Sequence, residues 1–489
     1  MFISGLGNPS LVRTQGLIAG KWCDPSSGKQ FAVTNPATGE TLALVADFDK
    51  TEVQRAITAA SEAQVQWAQK TAQERSRLLH ALHVLVMEHQ EDLALILTLE
   101  QGKSLSEARG EIAYGASYIE WFAEEAKRIY GDIIPPASPD QRILVIKQPV
   151  GVVATITPWN FPNAMLARKL APALAAGCAV VAKPAAETPL SALALAWLAQ
   201  EAGIPAGVIN IIPSSDAVAV GNEFSSNPLV RKISFTGSTK VGKLLIRQCA
   251  EDVKRITLEL GGNAPFIVFD DADIDAAIAG AIASKFRNSG QTCVCANRFY
   301  IHRNINDVFC EKLIQAMKAL QIGSGTDTAT TIGPLISSAA VKKAGLLVED
   351  AMAKGATLDY QASLDESLLA NGSFYPPTLL NNLAKDSLLL EQEIFGPVVA
   401  IYPFDSDEEV IALANDSVYG LAAYCFTRDA ARIKKMSEQL ATGMLGINTG
   451  TISNAMAPFG GIKHSGWGRE GSFYGINDYL DIKYICEAF

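Results

Sequence analysis

The sequence predicts an α/β protein: two doubly wound α/β domains joined by a small additional β element. Three observations carry this. Short apolar strands alternate with helices from residue 151 to 250, and repeated βα units imply a parallel sheet covered on both faces. A second alternating run begins near residue 260. Two β-like stretches, 142–147 and 479–486, lie outside both runs.

Taken in order, residues 49–130 read as mostly helical. Thr51 to Val65 and Arg75 to Gln101 carry apolar residues at helical spacing, and Gly102 is a stop signal. GDIIPPASPD then breaks the pattern, and Arg142 to Lys147 follows as a β run. Gly151 to Thr157 reads as a strand, Asn163 to Ala176 as a helix, Ala179 to Lys183 as a strand and Pro189 to Ala202 as a helix. Val208 to Ile212 and Lys232 to Phe235 are strands, and Ser238 to Ala250 is a helix capped by Ser238 or Thr239. In the second run, Asp273 to Arg287 and Ile305 to Ala319 are helices. Phe299 to His302, Pro397 to Tyr402, Ala422 to Phe426 and Met444 to Asn448 are strands. Tyr479 to Cys486 reads as an edge strand able to join residues 131–150 in a projecting sheet.

Composition bounds the function. With 489 residues, 48% hydrophobic and 19% charged, the chain is long and apolar enough for sizeable cores, which excludes general disorder. Its net charge of −10 argues against nucleic acid and anionic membranes as partners. No stretch reaches the ~20 apolar residues of a membrane span, and the N-terminus lacks a basic region followed by an apolar core. These features lead us to expect a cytoplasmic bacterial enzyme. Eight cysteines are too few for a disulfide scaffold. No CxxC pair or Cys/His cluster suggests a metal. The five histidines are scattered; His80 and His83 share a helical face without a third ligand and read as solvent-facing or structural.

Four motifs carry chemistry. FTGSTKVG (235–242) follows a strand and opens a helix, so its backbone amides suit a phosphate, although alone it also reads as a plain βα turn. In LELGGNAP (258–265) an acidic residue precedes paired glycines: Glu259 is either a surface carboxylate or a general base that swings on Gly261 and Gly262. In NSGQTCVCANR (288–298) Cys293 is either a small buried hydrophobe or a nucleophile. TPWNFP (157–162) is a rigid turn able to fix the Asn160 amide.

Together these motifs resemble the aldehyde dehydrogenase superfamily over nearly the whole chain. TPWNFP, KPAAETP, FTGSTKVG, LELGGNAP, GQTC, EIFGPV (393–398) and PFGGIKHSGWGREG (458–471) occur in the family's order. The 34 positions from Glu259 to Cys293 also look like the family's spacing. CVCANR, with Arg287 six positions before the nucleophile, is most similar to succinate-semialdehyde dehydrogenases.

The resemblance implies a thiolate attack by Cys293, an oxyanion held by the Asn160 amide and the Cys293 N–H, and hydrolysis of a thioester by water that Glu259 activates. No metal is needed. It implies a cofactor site in which Lys183 reaches the adenine ribose, Gly237 and Ser238 the pyrophosphate, and Glu393 and Phe395 the nicotinamide riboside. Thr157, Pro158, Trp159, Val241 and Leu260 complete that site. NAD-preferring relatives commonly carry Glu three positions after the lysine. Here Ala186 stands there, with Glu187 next, so NADP is the expected cofactor ahead of NAD, unless Glu187 turns inward. Arg168, Arg287 and Ser453 match the anchors of a substrate carboxylate. The expected partner is thus a small acid semialdehyde, succinate or the one-methylene-longer glutarate semialdehyde. A CoA-acylating enzyme and a non-catalytic protein of the same fold are the remaining alternatives. Cys295, two residues after the nucleophile, could form a strained, reducible disulfide with it, or pack as a small residue. The expected domains are 1–130 with 150–259 for the cofactor, 260–465 for catalysis, and 131–149 with 470–489 for oligomerisation into a homodimer or homotetramer.

Overall fold

The protein, analysed as a computed structural model, is described for residues 3–489. Its largest sheet has eight strands. Five are parallel and lie in the order Arg255–Glu259, Val230–Thr236, Val152–Ile156, Ala179–Lys183, Ile209–Ile211. All but the ends of these strands are buried, as expected where helices cover both faces. Among these five the first in sequence is the central 152–156 strand; the chain then steps outward through 179–183 and 209–211, and returns to the other side at 230–236. That reversal opens a crevice at the carboxyl ends of strands 152–156 and 230–236, the place where open α/β sheets bind ligands.

The second sheet has seven strands, in the order Thr357–Gln361, Thr378–Asn381, Val398–Phe404, Ala296–His302, Ala264–Val268, Ala422–Phe426, Met444–Ile447. All pairs are parallel except the antiparallel 357–361 edge. Its core is aromatic: Phe266 packs on Phe299 and Phe426 with ring centroids 4.8 and 4.9 Å apart. The third sheet pairs Leu480–Ala488 with Gln141–Pro149 along its whole length, and Asp132–Ile134 with the other edge of 141–149. The expected edge strand and its partner therefore meet.

Three differences from the sequence reading have physical causes. The apolar pattern at 75–101 is two helices, Ala72–Glu88 and Gln90–Gln101, divided at His89, because the spacing stays compatible on both sides of a break without Gly or Pro. The helix before the nucleophile closes at Lys285. Arg287 opens a short turn whose Asn288 and Ser289 adopt left-handed φ values of 52° and 56°. Strands Gly16–Ile18 and Lys21–Cys23 extend the first sheet at its edge; at three residues each, they carry no alternation to read. His80 and His83 are structural, bonded to Glu124 and to the Ala116 carbonyl. Among the described residues no helix is long and apolar enough to cross a membrane, and no group of three His, Cys, Asp or Glu is placed to hold a metal.

Candidate active site

The loops at the carboxyl ends of the first sheet face loops at the amino ends of the second. Residues 157–161 follow strand 152–156, 237–238 follow 230–236, and 260–262 follow 255–259. Opposite them, the 287–295 loop precedes strand 296–302, and Glu393–Phe395 precede 398–404. Between the two sets lies a cavity of about 290 Å³. Eleven of the residues singled out above line it: Pro158, Trp159, Asn160, Gly237, Ser238, Glu259, Leu260, Gly261, Cys293, Glu393 and Phe395. Cysteine, carboxyl and amide are thereby brought to one wall from three separate segments.

Cys293 is half-buried in a turn. Burial pushes its thiol up to about 12, against the pull of Arg168, so the resting group is a neutral thiol and needs a base. Glu259 ends its strand almost wholly buried, with Oε2 unpartnered. Burial and the neighbouring Glu470 carboxylate raise it well above the ordinary carboxyl range, while Arg168 pulls it down. A raised carboxyl facing a cavity suits a general base. The Asn160 amide donates one N–H to the Gln291 carbonyl at 3.0 Å, leaving the other for a ligand, and its buried Oδ1 has no partner. The Cys293 backbone N–H has no partner among the described residues. Two donors beside a nucleophile are the minimum of an oxyanion site.

The paired glycines permit a close approach. Neither has positive φ. Gly262 donates its N–H to Glu393 Oε1 at 3.1 Å, and a Cβ there would run into the Cys293 carbonyl. A Cβ on Gly261 would lie 2.8 Å from Glu393 Oε2. They let the base strand, the nucleophile turn and Glu393 pack close together.

The opposite end of the cavity fits a dinucleotide. Helix Thr239–Ala250 starts there, its N-cap Ser238 accepting from Val241 N–H, so its first amides point outward. The Thr236 hydroxyl is buried and unpartnered on the cavity wall. Trp159 and Phe395 meet edge to face, with centroids 5.4 Å apart. One strand further out, the buried Lys183 ammonium bonds only the Pro184 carbonyl, at 3.2 Å, and has donors to spare. Ala186 is half-buried beside it, and Glu187 is exposed. Thr157 lies beneath the loop, its N–H bonded to the Lys183 carbonyl, and Val241 is on the exposed helix surface.

The proposed substrate anchors do not share one environment. Arg168 is 1% exposed, with Nε 2.6 Å from Glu470 Oε2, its guanidinium 4.1 Å from the Phe459 ring centroid, and Nη2 unpartnered. Lys169 Nζ also reaches Glu470, at 2.5 Å. Arg287 is half-buried, 5.2 Å from the Phe161 ring centroid, and forms no salt bridge among the described residues. Ser453 lies half-buried in the 449–459 loop. Cys295 is 1% exposed, its Sγ directed to the Lys285 carbonyl, and both it and Cys293 are free thiols. Motif reading missed Phe161, Met165, Ala340, Lys343 and Ile394, which also line the cavity. Lys343, from helix Ser338–Ala353, bonds the Glu393 carbonyl at 2.7 Å, and no local pattern marks it.

A doubly wound sheet here opens onto a half-buried cysteine, a buried carboxyl and a buried amide. The chain belongs to the aldehyde dehydrogenase family, whose model matches residues 22–485. It is 55% identical over 98% of its length to the succinate-semialdehyde dehydrogenase [NADP(+)] of Escherichia coli, covering 99% of that protein. It is 54% identical to a glutarate-semialdehyde dehydrogenase of Pseudomonas putida, again over 98% of this chain and 99% of the relative. The fold superimposes on a crystal structure of an NADP-dependent E. coli enzyme with a TM-score of 0.97 at 55% identity, covering 99% of this chain and 100% of the other.

Proposed function

We propose that this chain oxidises succinate semialdehyde to succinate with NADP+. The observation that carries the substrate class is Arg287: a half-buried guanidinium close to the nucleophile with no carboxylate partner of its own. A cation held in that state suits an anionic ligand, and a fork of donors suits a carboxylate. Arg168 Nη2 and Ser453 supply the further anchors. The 55% identity to an NADP(+) enzyme of this activity supports both substrate and cofactor.

Cys293 loses its proton toward Glu259 and attacks the aldehyde carbon. The oxyanion is held by the free Asn160 N–H and the Cys293 N–H. When bound, NADP+ supplies the hydride acceptor that converts the adduct on Cys293 to a thioester. Lys183 and the first turn of helix 239–250 would hold its phosphates, and Ala186 would leave room for a 2′-phosphate where a carboxylate would repel it. Once that first proton has passed to solvent, Glu259 takes a proton from water as the water attacks the thioester, and returns it to the departing Cys293 thiolate, which frees succinate and the thiol. The presence of Glu259 favours water over CoA as acceptor.

A glutarate semialdehyde activity is the second reading, favoured by the Pseudomonas relative. One methylene changes selectivity by ~1–3 kcal/mol. The three-stranded sheet exposes Ile133, Ile482 and Tyr484, which supports a contact between copies of this chain in a homodimer or homotetramer, working in the cytoplasm. Steady-state rates with succinate semialdehyde, glutarate semialdehyde and an uncharged aldehyde, each with NADP+ and NAD+, test the proposal. It expects the highest kcat/KM for succinate semialdehyde with NADP+; preference for the uncharged aldehyde or for NAD+ contradicts it.

A further inference from the structure

The residues that hold Asn160 and the nucleophile turn in register come from a third place, the start of helix Leu105–Glu125, and no motif above includes them. Lys103 is 1% exposed. Its ammonium donates to the Asn160 carbonyl at 2.8 Å and to Glu111 Oε2 at 2.6 Å, and lies 3.8 Å from the Phe161 ring centroid. The other oxygen of Glu111 accepts the N–H groups of Asn163 and Ala164 at 3.0 and 3.2 Å, capping the helix that follows Asn160. Glu107, one turn earlier, reaches the opposite side and accepts the Asn288 N–H at 2.7 Å. Asn288 sits at positive φ and returns its side-chain amide to the Asn160 carbonyl at 2.9 Å and to the Gln291 carbonyl at 3.2 Å. Gln291 O is the same atom that fixes the Asn160 side chain.

The Asn160 carbonyl is therefore clamped by an ammonium from one segment and an amide from another, and the second of these is itself held by Glu107. We propose that Lys103 and Glu107 are positioning residues for the oxyanion site: they fix Asn160 against the 287–293 turn, and so set how well the reacting oxygen is held. A left-handed turn at two consecutive non-glycine residues is costly on its own, and the Glu107 bond to its first amide gives it a reason to persist. Neither residue lines the cavity, and the polar atoms of both are engaged with protein partners. The inference rests on Asn160 acting as the oxyanion donor.

Such a role separates kcat from everything else. Misplacing a catalytic donor by about 1 Å costs roughly 100-fold in rate. The full-length enzyme is assayed as Lys103→Met, Glu107→Ala and Glu107→Gln, with Asn160→Ala as control. Lys103→Met and Glu107→Ala are expected to lower kcat by roughly 10- to 100-fold. The KM for aldehyde and the rate at which iodoacetamide alkylates Cys293 should change clearly less than kcat, because neither requires a developing oxyanion to be held. Glu107→Gln keeps an acceptor for Asn288 and should retain most of the parent kcat. Lys103→Met leaves the Glu111 carboxylate buried without its partner, so if that variant does not fold, the Glu107 pair decides the matter. Unchanged kcat in Glu107→Ala, or a loss of kcat matched by equal losses in KM and alkylation, overturns the proposal. If Asn160→Ala itself keeps full kcat, the oxyanion assignment fails; if only the Asn160 variant is impaired, the positioning inference fails alone.

Discussion

The two doubly wound sheets meet one cavity with opposite ends of their strands. The 152–259 sheet offers carboxyl ends, where the chain reverses direction and a helix begins at Ser238. The 264–447 sheet offers amino ends, so that Cys293 arrives in the turn before its strand and Glu393 just before the next. The first side has what holds an anion: outward amides and the spare donors of Lys183. The second has the group that our proposal makes the nucleophile: a thiol in a tightly packed turn. Glu259 belongs to the first sheet by strand and, in that proposal, serves the thiol of the second, and the small residues beside it allow the close approach.

Damage to the two sides should read out differently. The largest effect is expected at Gly262, where a Cβ collides with the Cys293 carbonyl. Gly262→Ala displaces the nucleophile and should lower kcat by ~100-fold or more, with the protein still folded by circular dichroism. Retained activity would mean that the close approach of the two sheets is not needed. A smaller effect is expected on the cofactor side. Ala186→Glu places a carboxylate beside the 2′-phosphate and should raise the KM for NADP+ roughly tenfold, with kcat for a saturated enzyme unchanged. Loss of kcat instead would show that the sides are not separable. The mildest test is pH. Both Cys293 and Glu259 are raised by burial, so the reactive, deprotonated fractions of both grow with pH through the neutral range. With the thiol at about 12, alkylation of the free enzyme by iodoacetamide should rise about tenfold per pH unit between pH 6 and 9. A plateau near neutrality would show a cysteine activated before cofactor binds.

Much of the first side was legible in the sequence, because it is local. Strands 152–156 and 179–183 and helix 162–176 are mostly apolar segments with Pro or Gly near their ends, and their loops carry compact motifs. What escaped is non-local. Lys103 and Glu111 look like solvent-facing charges on a helix start, yet they are buried by residues around 160. Lys169 meets Glu470 across 301 residues, and no spacing rule reaches that far. A glycine pair in a sequence signals either motion or close approach, and the need for close approach at Gly261 and Gly262 comes from the distant Cys293 carbonyl and Glu393 carboxylate. The net charge of −10 acquires a narrower meaning. It speaks against extended polyanions, while Arg168, Arg287 and Lys183 supply local positive charge for small ones.

The central claim is that an unpaired arginine beside the nucleophile makes this an acid-semialdehyde enzyme. The direct test is Arg287→Ala, assayed with succinate semialdehyde and with an uncharged aldehyde of similar length at saturating NADP+. The account predicts a KM for succinate semialdehyde raised roughly 10- to 100-fold, as for loss of a charged hydrogen bond, with the uncharged aldehyde little affected. Equal changes for both aldehydes would contradict it.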